Sequence, residues 1–213
     1  MKTNVTLLKA LLAASAYLLS TTATAEDAAD ILINQVYAGG GATLYCKEPF
    51  SPRDRGVKAD SIYGSHLLLR QFSCITARQC SSKPGYDTVA GDLHNMYPIQ
   101  RSTEVDRRGS LFGDLPEDSR ENECGYQSAF QTFDPPDHAK GNVARAMIYM
   151  HRQHNLPLVG NLEMYKRWSQ LDPPDDEERA RNGVIGRIQG NRNPYIDDPE
   201  LVQRLDNLTN LNR

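Results

Sequence analysis

Gly91-Asp92-Leu93-His94-Asn95-Met96-Tyr97-Pro98 sets an acid, an imidazole and an amide among apolar residues and stops at a proline. The run reads as a short strand, residues 91–96, ended by Pro98. Its polar side chains would then sit together at the end of a buried strand, where donors and acceptors need partners. On that basis His94 and Asn95 are expected to hold the fold rather than to react.

Outward from this stretch the chain divides into two halves. Residues 62–69 read as another strand, with Gly64 and His66 interrupting the apolar run, and residues 43–46 as a third. Residues 49–58 carry two prolines, a glycine and three basic side chains and read as a surface loop. Residues 26–37 suggest a short amphipathic helix before the Gly39-Gly40-Gly41 break. The second half is helical. Pro135-Pro136-Asp137 starts a helix with Val143, Ala144, Met147, Ile148 and Met150 largely on one face. Asn161 starts the next, carrying Leu162, Tyr165, Trp168 and Leu171; Asp172-Pro173-Pro174-Asp175 repeats the start signal, and a short last helix begins near Asp198-Pro199. The expectation is α+β in a single domain, with a small mixed β core and a helical C-terminal half.

The length, 213 residues, suits that reading, as do 39% hydrophobic and 24% charged residues. Twenty-four basic residues against 27 acidic ones give a net charge of −3, which excludes a basic nucleic-acid arm and by itself argues against DNA or RNA as a partner. Lys2 and Lys9 lead into an apolar, Leu- and Ala-rich run, and Ala23-Thr24-Ala25 offers small residues for cleavage. Residues 1–25 are therefore expected to be a Sec signal peptide, leaving residues 26–213 as the functional domain, periplasmic or secreted and without a membrane anchor. Export recasts Cys46, Cys74, Cys80 and Cys124 as two disulfides with three connectivities open. Cys74 and Cys80 are spaced to close a local loop, which would leave Cys46 with Cys124 as a long staple. A zinc site competes, but no C-x2-4-C knuckle with partner histidines occurs.

No Gly-rich phosphate loop, G-x-S-x-G or H-E-x-x-H is present. Three stretches in order do carry a signal: D-L-H-N at residues 92–95; Pro135-Pro136-Asp137-His138-Ala139-Lys140-Gly141-Asn142-Val143-Ala144-Arg145-Ala146, running into Met147-Ile148-Tyr149-Met150; and Arg187-Ile188-Gln189-Gly190-Asn191-Arg192-Asn193-Pro194-Tyr195. Together they resemble the bacterial endonuclease I family, periplasmic and secreted nucleases of the ββα-metal (His-Me finger) fold. The resemblance covers residues 45–196, about four-fifths of the chain after residue 25. It implies cleavage of DNA, and in many members RNA, with little sequence preference, by a monomer using Mg²⁺ or another divalent ion such as Ca²⁺ or Mn²⁺.

The family's site has two parts. The first is a Glu-His pair at a strand end, in an E-H-V-x-P motif. Its match is Ser65-His66-Leu67-Leu68-Leu69, followed by Gln71-Phe72. His66 then takes the place of the general base, a role that imidazole suits because it titrates near neutral pH. Ser65 stands where the family has its glutamate beside the metal, and Leu69 where it has proline. The second part is an asparagine metal ligand in an E-V-N-x-x-R stretch. Its match is Glu104-Val105-Asp106-Arg107-Arg108, with Asp106 in the asparagine position after a small insertion. Aspartate suits a hard cation, and its charge would replace the one lost at Ser65. Arg107 or Arg108 would hold phosphate oxygens.

Plainer readings stand beside these. His66 could be a strand histidine satisfied by backbone, and Asp106 a solvated ion pair with its neighbouring arginines. His151 and His154 are expected on a wet helix face rather than on a metal, and Arg145 and Arg192 in packing or ion pairs. A lapsed relative that only binds nucleic acid or a protein is the alternative function, suggested by Ser65 and Leu69. Seventeen of the 22 basic residues after residue 25 are arginines, a bias towards forked phosphate recognition that a net negative chain can still use locally.

Overall fold

The computed structural model describes residues 24–116 and 122–206. The expected leader falls outside them apart from Thr24 and Ala25. Helix α1 (Ala25–Ile31) begins at Thr24, whose hydroxyl accepts from Asp27 N while the Asp27 carboxylate accepts from Thr24 N. This reciprocal cap satisfies two of the donors that a helix start leaves open. A π-type turn, Leu32–Val36, follows. Then come β1 (Gly41–Ala42), β2 (Pro49–Phe50), β3 (Val57–Ser61), α2 (Ser65–Gln71), α3 (Ala77–Cys80) and α4 (Tyr86–Ala90). A 3₁₀ turn (Leu93–Asn95) precedes β4 (Met96–Gln100), α5 (Arg101–Arg107), β5 (Leu111–Phe112), β6 (Gln127–Ala129) and β7 (Thr132–Asp134). The helical half comprises α6 (Asp137–Gln153), α7 (Leu162–Leu171), α8 (Asp176–Gln189), α9 (Pro194–Asp197) and α10 (Glu200–Gln203). The α+β expectation agrees with this order. Among the described residues no helix is long and apolar enough to cross a membrane.

The strands form three small sheets: antiparallel β1–β2, antiparallel β3–β4, and β5–β7–β6 with β5 parallel and β6 antiparallel to β7. Several boundaries differ from the sequence expectation. Residues 62–69 are not a strand: the ladder ends at Ser61, paired with Met96, and helix α2 starts at Ser65. Leu67, Leu68, Leu69, Arg70 and Gln71 are all good helix formers without β-branches, so nothing local sustains a strand there. Residues 91–96 hold the 3₁₀ turn, and the strand lies beyond it with Pro98 inside. Pro98 is tolerated because its carbonyl faces away from β3 and accepts from Leu44 N at 2.8 Å. The expected loop at residues 49–58 contains β2 and the start of β3, while residues 43–46 form a turn closed by Lys47 N donating to Thr43 O.

Helix α6 is the axis of the core. Residues 143–151 are buried without a break, so the helix is enclosed all round rather than amphipathic. Arg145 is fully buried within it and ion-paired to Glu178 of α8, with Nε–Oε1 at 2.9 Å and Nη2–Oε2 at 2.5 Å. Nη1 donates to Asp172 O at 2.7 Å. Arg192 is paired too, with Asp197. The starts of α7 and α8 are those the sequence announced, with Asn161 Oδ1 accepting from Glu163 N and Asp175 Oδ1 from Glu178 N.

The D-L-H-N stretch ties the two halves together. Asp92 Oδ2 accepts from Tyr149 OH at 2.8 Å and lies 2.7 Å from His154 Nε2; Oδ1 accepts from His94 N and from Gln189 Nε2. Leu93 N donates to Gln189 Oε1, His94 Nε2 lies 3.0 Å from Asn191 O, and Arg181 of α8 donates to the carbonyls of Leu93 and Met96. Burial pushes the His94 imidazole down to about 4, so it is neutral at pH 7 and donates to the Asn191 carbonyl.

Both disulfides follow the spacing: Cys46–Cys124 and Cys74–Cys80. The first spans 78 residues and the second six, so their effects on the unfolded chain differ. Replacing Cys46 and Cys124 by serine is expected to cost about 4 kcal/mol, against about 2 kcal/mol for Cys74 and Cys80. Urea denaturation of the two double variants measures both.

Candidate active site

Helix α2 begins where the β3–β4 ladder stops, and Asn95 makes the join. Its carbonyl accepts from Ile62 N, its Oδ1 accepts from Tyr63 N at 2.7 Å, and its Nδ2 donates to Tyr63 O at 3.2 Å. The side-chain amide thus imitates one more rung of backbone pairing. Gly64 then turns the chain into α2, and His66 lies in the first helical turn. A Cβ on Gly64 would stand 2.8 Å from His66 Cε1 and 2.9 Å from Nδ1. The absence of a side chain is what lets the imidazole fold back over residue 64.

His66 is half-buried and lines an open cleft of about 600 Å³, together with Tyr63, Arg70, Gly109, Leu111 and Gln131. Pro157, Leu158 and Val159 line it as well, joined to Tyr63 through its hydroxyl and the Pro157 carbonyl at 3.3 Å. Burial holds the His66 pKa below its ordinary value, and the guanidinium charges of Arg107 and Arg70 push the same way. At pH 7 the ring is therefore an unprotonated base facing solvent in a cleft.

Helix α5 follows β4 directly and packs against both β3 and β4. Asp106, near its end, is exposed, and its Oδ2 accepts from Tyr126 OH at 2.8 Å. Tyr126 is itself fixed by stacking on Phe133 at 4.7 Å, and burial with the nearby carboxylate pushes its phenol up to about 12. It therefore stays a donor and orients Asp106. Arg107 is buried. It donates to the carbonyls of Ser110, Ser61 and Ile62, lies 3.6 Å from Asp60 Oδ2, and sits 4.0 Å above the Phe112 ring. The side chain of Arg108 is 72% exposed and pairs with Glu104 at 3.0 Å, which also binds Lys58. Asp106, Arg107 and Arg108 do not line the His66 cleft; Gly109, the next residue, does. Ser65 is exposed beside His66.

The chemistry of these donors decides which cation they fit. Among the described residues no three His, Cys, Asp or Glu side chains converge as a cage. These residues therefore form no closed zinc-type cage, whereas a hydrated cation such as Mg²⁺ would need only one or two carboxylates from the protein. Asp106, held by Tyr126, is the carboxylate at the family's asparagine position. His151 and His154 hold no common site: His151 Nδ1 meets Leu156 O, and His154 meets Asp92.

Sequence reasoning had named His66 and Asp106 but missed Gly64, Arg70, Tyr126 and Gln131. Only Tyr126 carried a signal, two residues after a disulfide cysteine. Gly64 and Arg70 flank His66 at the start and on the face of the same helix, whereas Gln131 is its neighbour in space alone.

Known proteins match this chain over the same region. A model of the family described as Endonuclease I matches residues 65–200. An extracellular deoxyribonuclease of Aeromonas hydrophila is 27% identical over 194 residues, covering 78% of this chain and 86% of that protein. A periplasmic deoxyribonuclease of the same organism is 29% identical over 163 residues, covering 70% and 68%. An extracellular ribonuclease of Bacillus amyloliquefaciens is 28% identical over 153 residues, covering 58% of this chain and 50% of that protein. With a family match that begins at the Ser65-His66 pair and runs through both ends of the polar network, the chain belongs to the endonuclease I family.

Proposed function

We propose that the protein is an exported, metal-dependent endonuclease that hydrolyses phosphodiester bonds of DNA, and of RNA as a second substrate, with little sequence preference. The observation that carries this reading is His66: an imidazole held unprotonated at neutral pH, in an open cleft, at the end of an antiparallel strand pair backed by a helix. We take β3, β4 and α5 as the ββα unit. The extracellular and periplasmic relatives support export, and their deoxyribonuclease and ribonuclease names support the substrates.

His66 removes a proton from water, and the oxygen attacks phosphorus in line with the 3′ oxygen, whose bond to phosphorus breaks as it takes up a proton from solvent water; His66 then returns its proton to solvent. The products are a 5′-phosphate and a 3′-hydroxyl. Arg108, exposed and loosely paired, takes the role of phosphate clamp. Arg107 acts as a positioning residue: its three carbonyl contacts fix the ends of β3 and the 110 loop on either side of the cleft. Asp106 would hold a divalent cation, with no second charged ligand from Ser65. When bound, that ion supplies positive charge beside the phosphate.

Plasmid nicking with Mg²⁺, with and without EDTA, tests the reading. The pH profile adds a sharper check. Because the His66 pKa lies below its ordinary value, kcat/KM should be level at neutral pH and fall about tenfold per unit once pH passes below the folded value. Cleavage indifferent to EDTA, or an acid limb above pH 7, would sink the assignment. Oligonucleotide binding without any cleavage would instead favour the lapsed binder, which the neutral Ser65 suggests.

Gly64→Ala should separate placement from folding. Residue 64 has an ordinary φ of −60°, so alanine is tolerated by the backbone, yet its Cβ displaces the imidazole. We expect a loss of about 10- to 100-fold in kcat with little change in Tm, read from nicking rates beside a thermal melt.

A further inference from the structure

Gln131 lines the His66 cleft, and its neighbour Phe130 is 99% exposed. These two residues are the whole loop between β6 and β7, since Ala129 pairs with Thr132. Both have positive φ, 50° and 63°. Asn-Gly or Asp-Gly normally supplies such a turn, because right-twisted hairpins favour it and most side chains resist it. A phenyl ring there is held against its backbone preference and also leaves its apolar surface in water. Two unfavourable choices at one position next to a cleft point outward, to something the ring meets.

The tip is anchored. Leu111 N donates to Gln131 O at 2.9 Å, and Leu111 sits opposite Thr132 in the parallel β5–β7 pair. Leu111 is also part of the cleft wall, so this three-stranded sheet brings the turn to the cleft through Gln131, with Phe130 the residue next to it. Arg70 lines the same cleft, and exposed Arg108 immediately precedes the cleft residue Gly109. Cations that follow a phosphate backbone, with an aromatic face beside them, are the elements by which proteins grip unpaired nucleic acid.

We infer that Phe130 stacks on a nucleobase of the strand lying in the His66 cleft. The strand's identity rests on the nuclease reading; the stacking itself does not require cleavage. A base must leave its own stack to meet the ring, so single-stranded or frayed segments bind better than intact duplex.

The test is equilibrium binding in EDTA, with fluorescein-labelled single-stranded and hairpin-duplex DNA dodecamers as probes. Phe130→Ala should weaken single-strand binding on the order of tenfold and duplex binding less. Phe130→Trp should restore affinity, and its indole emission should be quenched by the oligonucleotide, over the background of buried Trp168. Phe130→Gly should lose affinity like alanine while Tm stays level or rises, because glycine relieves the positive φ. Unchanged single-strand affinity in Phe130→Ala overturns the proposal, whether or not sedimentation reveals a protein partner at that site. So does a Phe130→Gly variant whose Tm falls with its affinity. Because binding is read without metal, wild-type protein that fails to cut would count against the nuclease reading alone.

Discussion

Replacing His66 with alanine is expected to slow plasmid cleavage by about 10²- to 10⁴-fold, the usual contribution of a positioned general base. The fold should survive, because the ring is only half-buried and leans over Gly64 without packing into the core. Two measurements separate a lost base from lost structure: the melting temperature should be unchanged, and the remaining activity should no longer show the acid limb. Retained activity with the same acid limb would move the base elsewhere. Of the other four histidines, His94 is enclosed, His151 and His154 are turned to Leu156 and Asp92, and exposed His138, at the start of α6, does not line the cleft.

Glu178→Ala has the largest expected effect on stability, about 3–5 kcal/mol. Arg145 and Glu178 are both almost wholly inside the protein, and removing the carboxylate leaves a guanidinium with one remaining acceptor, the Asp172 carbonyl. For a domain of this size that is a fall in Tm on the order of 10 °C, checked by calorimetry. Replacing both partners together by Met and Leu should cost much less than the single change, because the expense lies in the stranded charge rather than in the lost attraction. A double variant as unstable as Glu178→Ala would show that the pair is needed for its geometry.

The helical half was legible because its boundaries are chemical. Asn161 and Asp175 each bind the donors that a helix start exposes, and proline pairs precede α6 and α8. The strands were hidden for opposite reasons. β3, Val-Lys-Ala-Asp-Ser, is half-buried at every position and has no alternation to read, whereas Ile62 and Tyr63 look like strand but lie past the ladder's end, where Asn95 takes over their pairing. Pro98 argued against the very strand that contains it, since the sequence does not say which way a carbonyl faces. At the candidate site, His66 and Asp106 could be singled out by resemblance to a motif. Gly64, Tyr126 and the Phe130-Gln131 tip owe their significance to what the fold brings beside them, and Phe-Gln is no turn signature at all.

The tie between the D-L-H-N stretch and α8 also has a consequence in time. Leu93 and Gln189 are 96 residues apart, and a ribosome adding about 5–20 residues per second takes about 5–20 s to bridge that distance. Throughout that interval the loop bearing Asn95 has neither Arg181 nor Gln189 to hold it, and through Asn95 the placement of His66 is unfinished as well. A chain that stops short of α8, whether nascent or truncated, is therefore expected to hold His66 and Asn95 without the contacts that fix them, and to stay inactive under the proposed function.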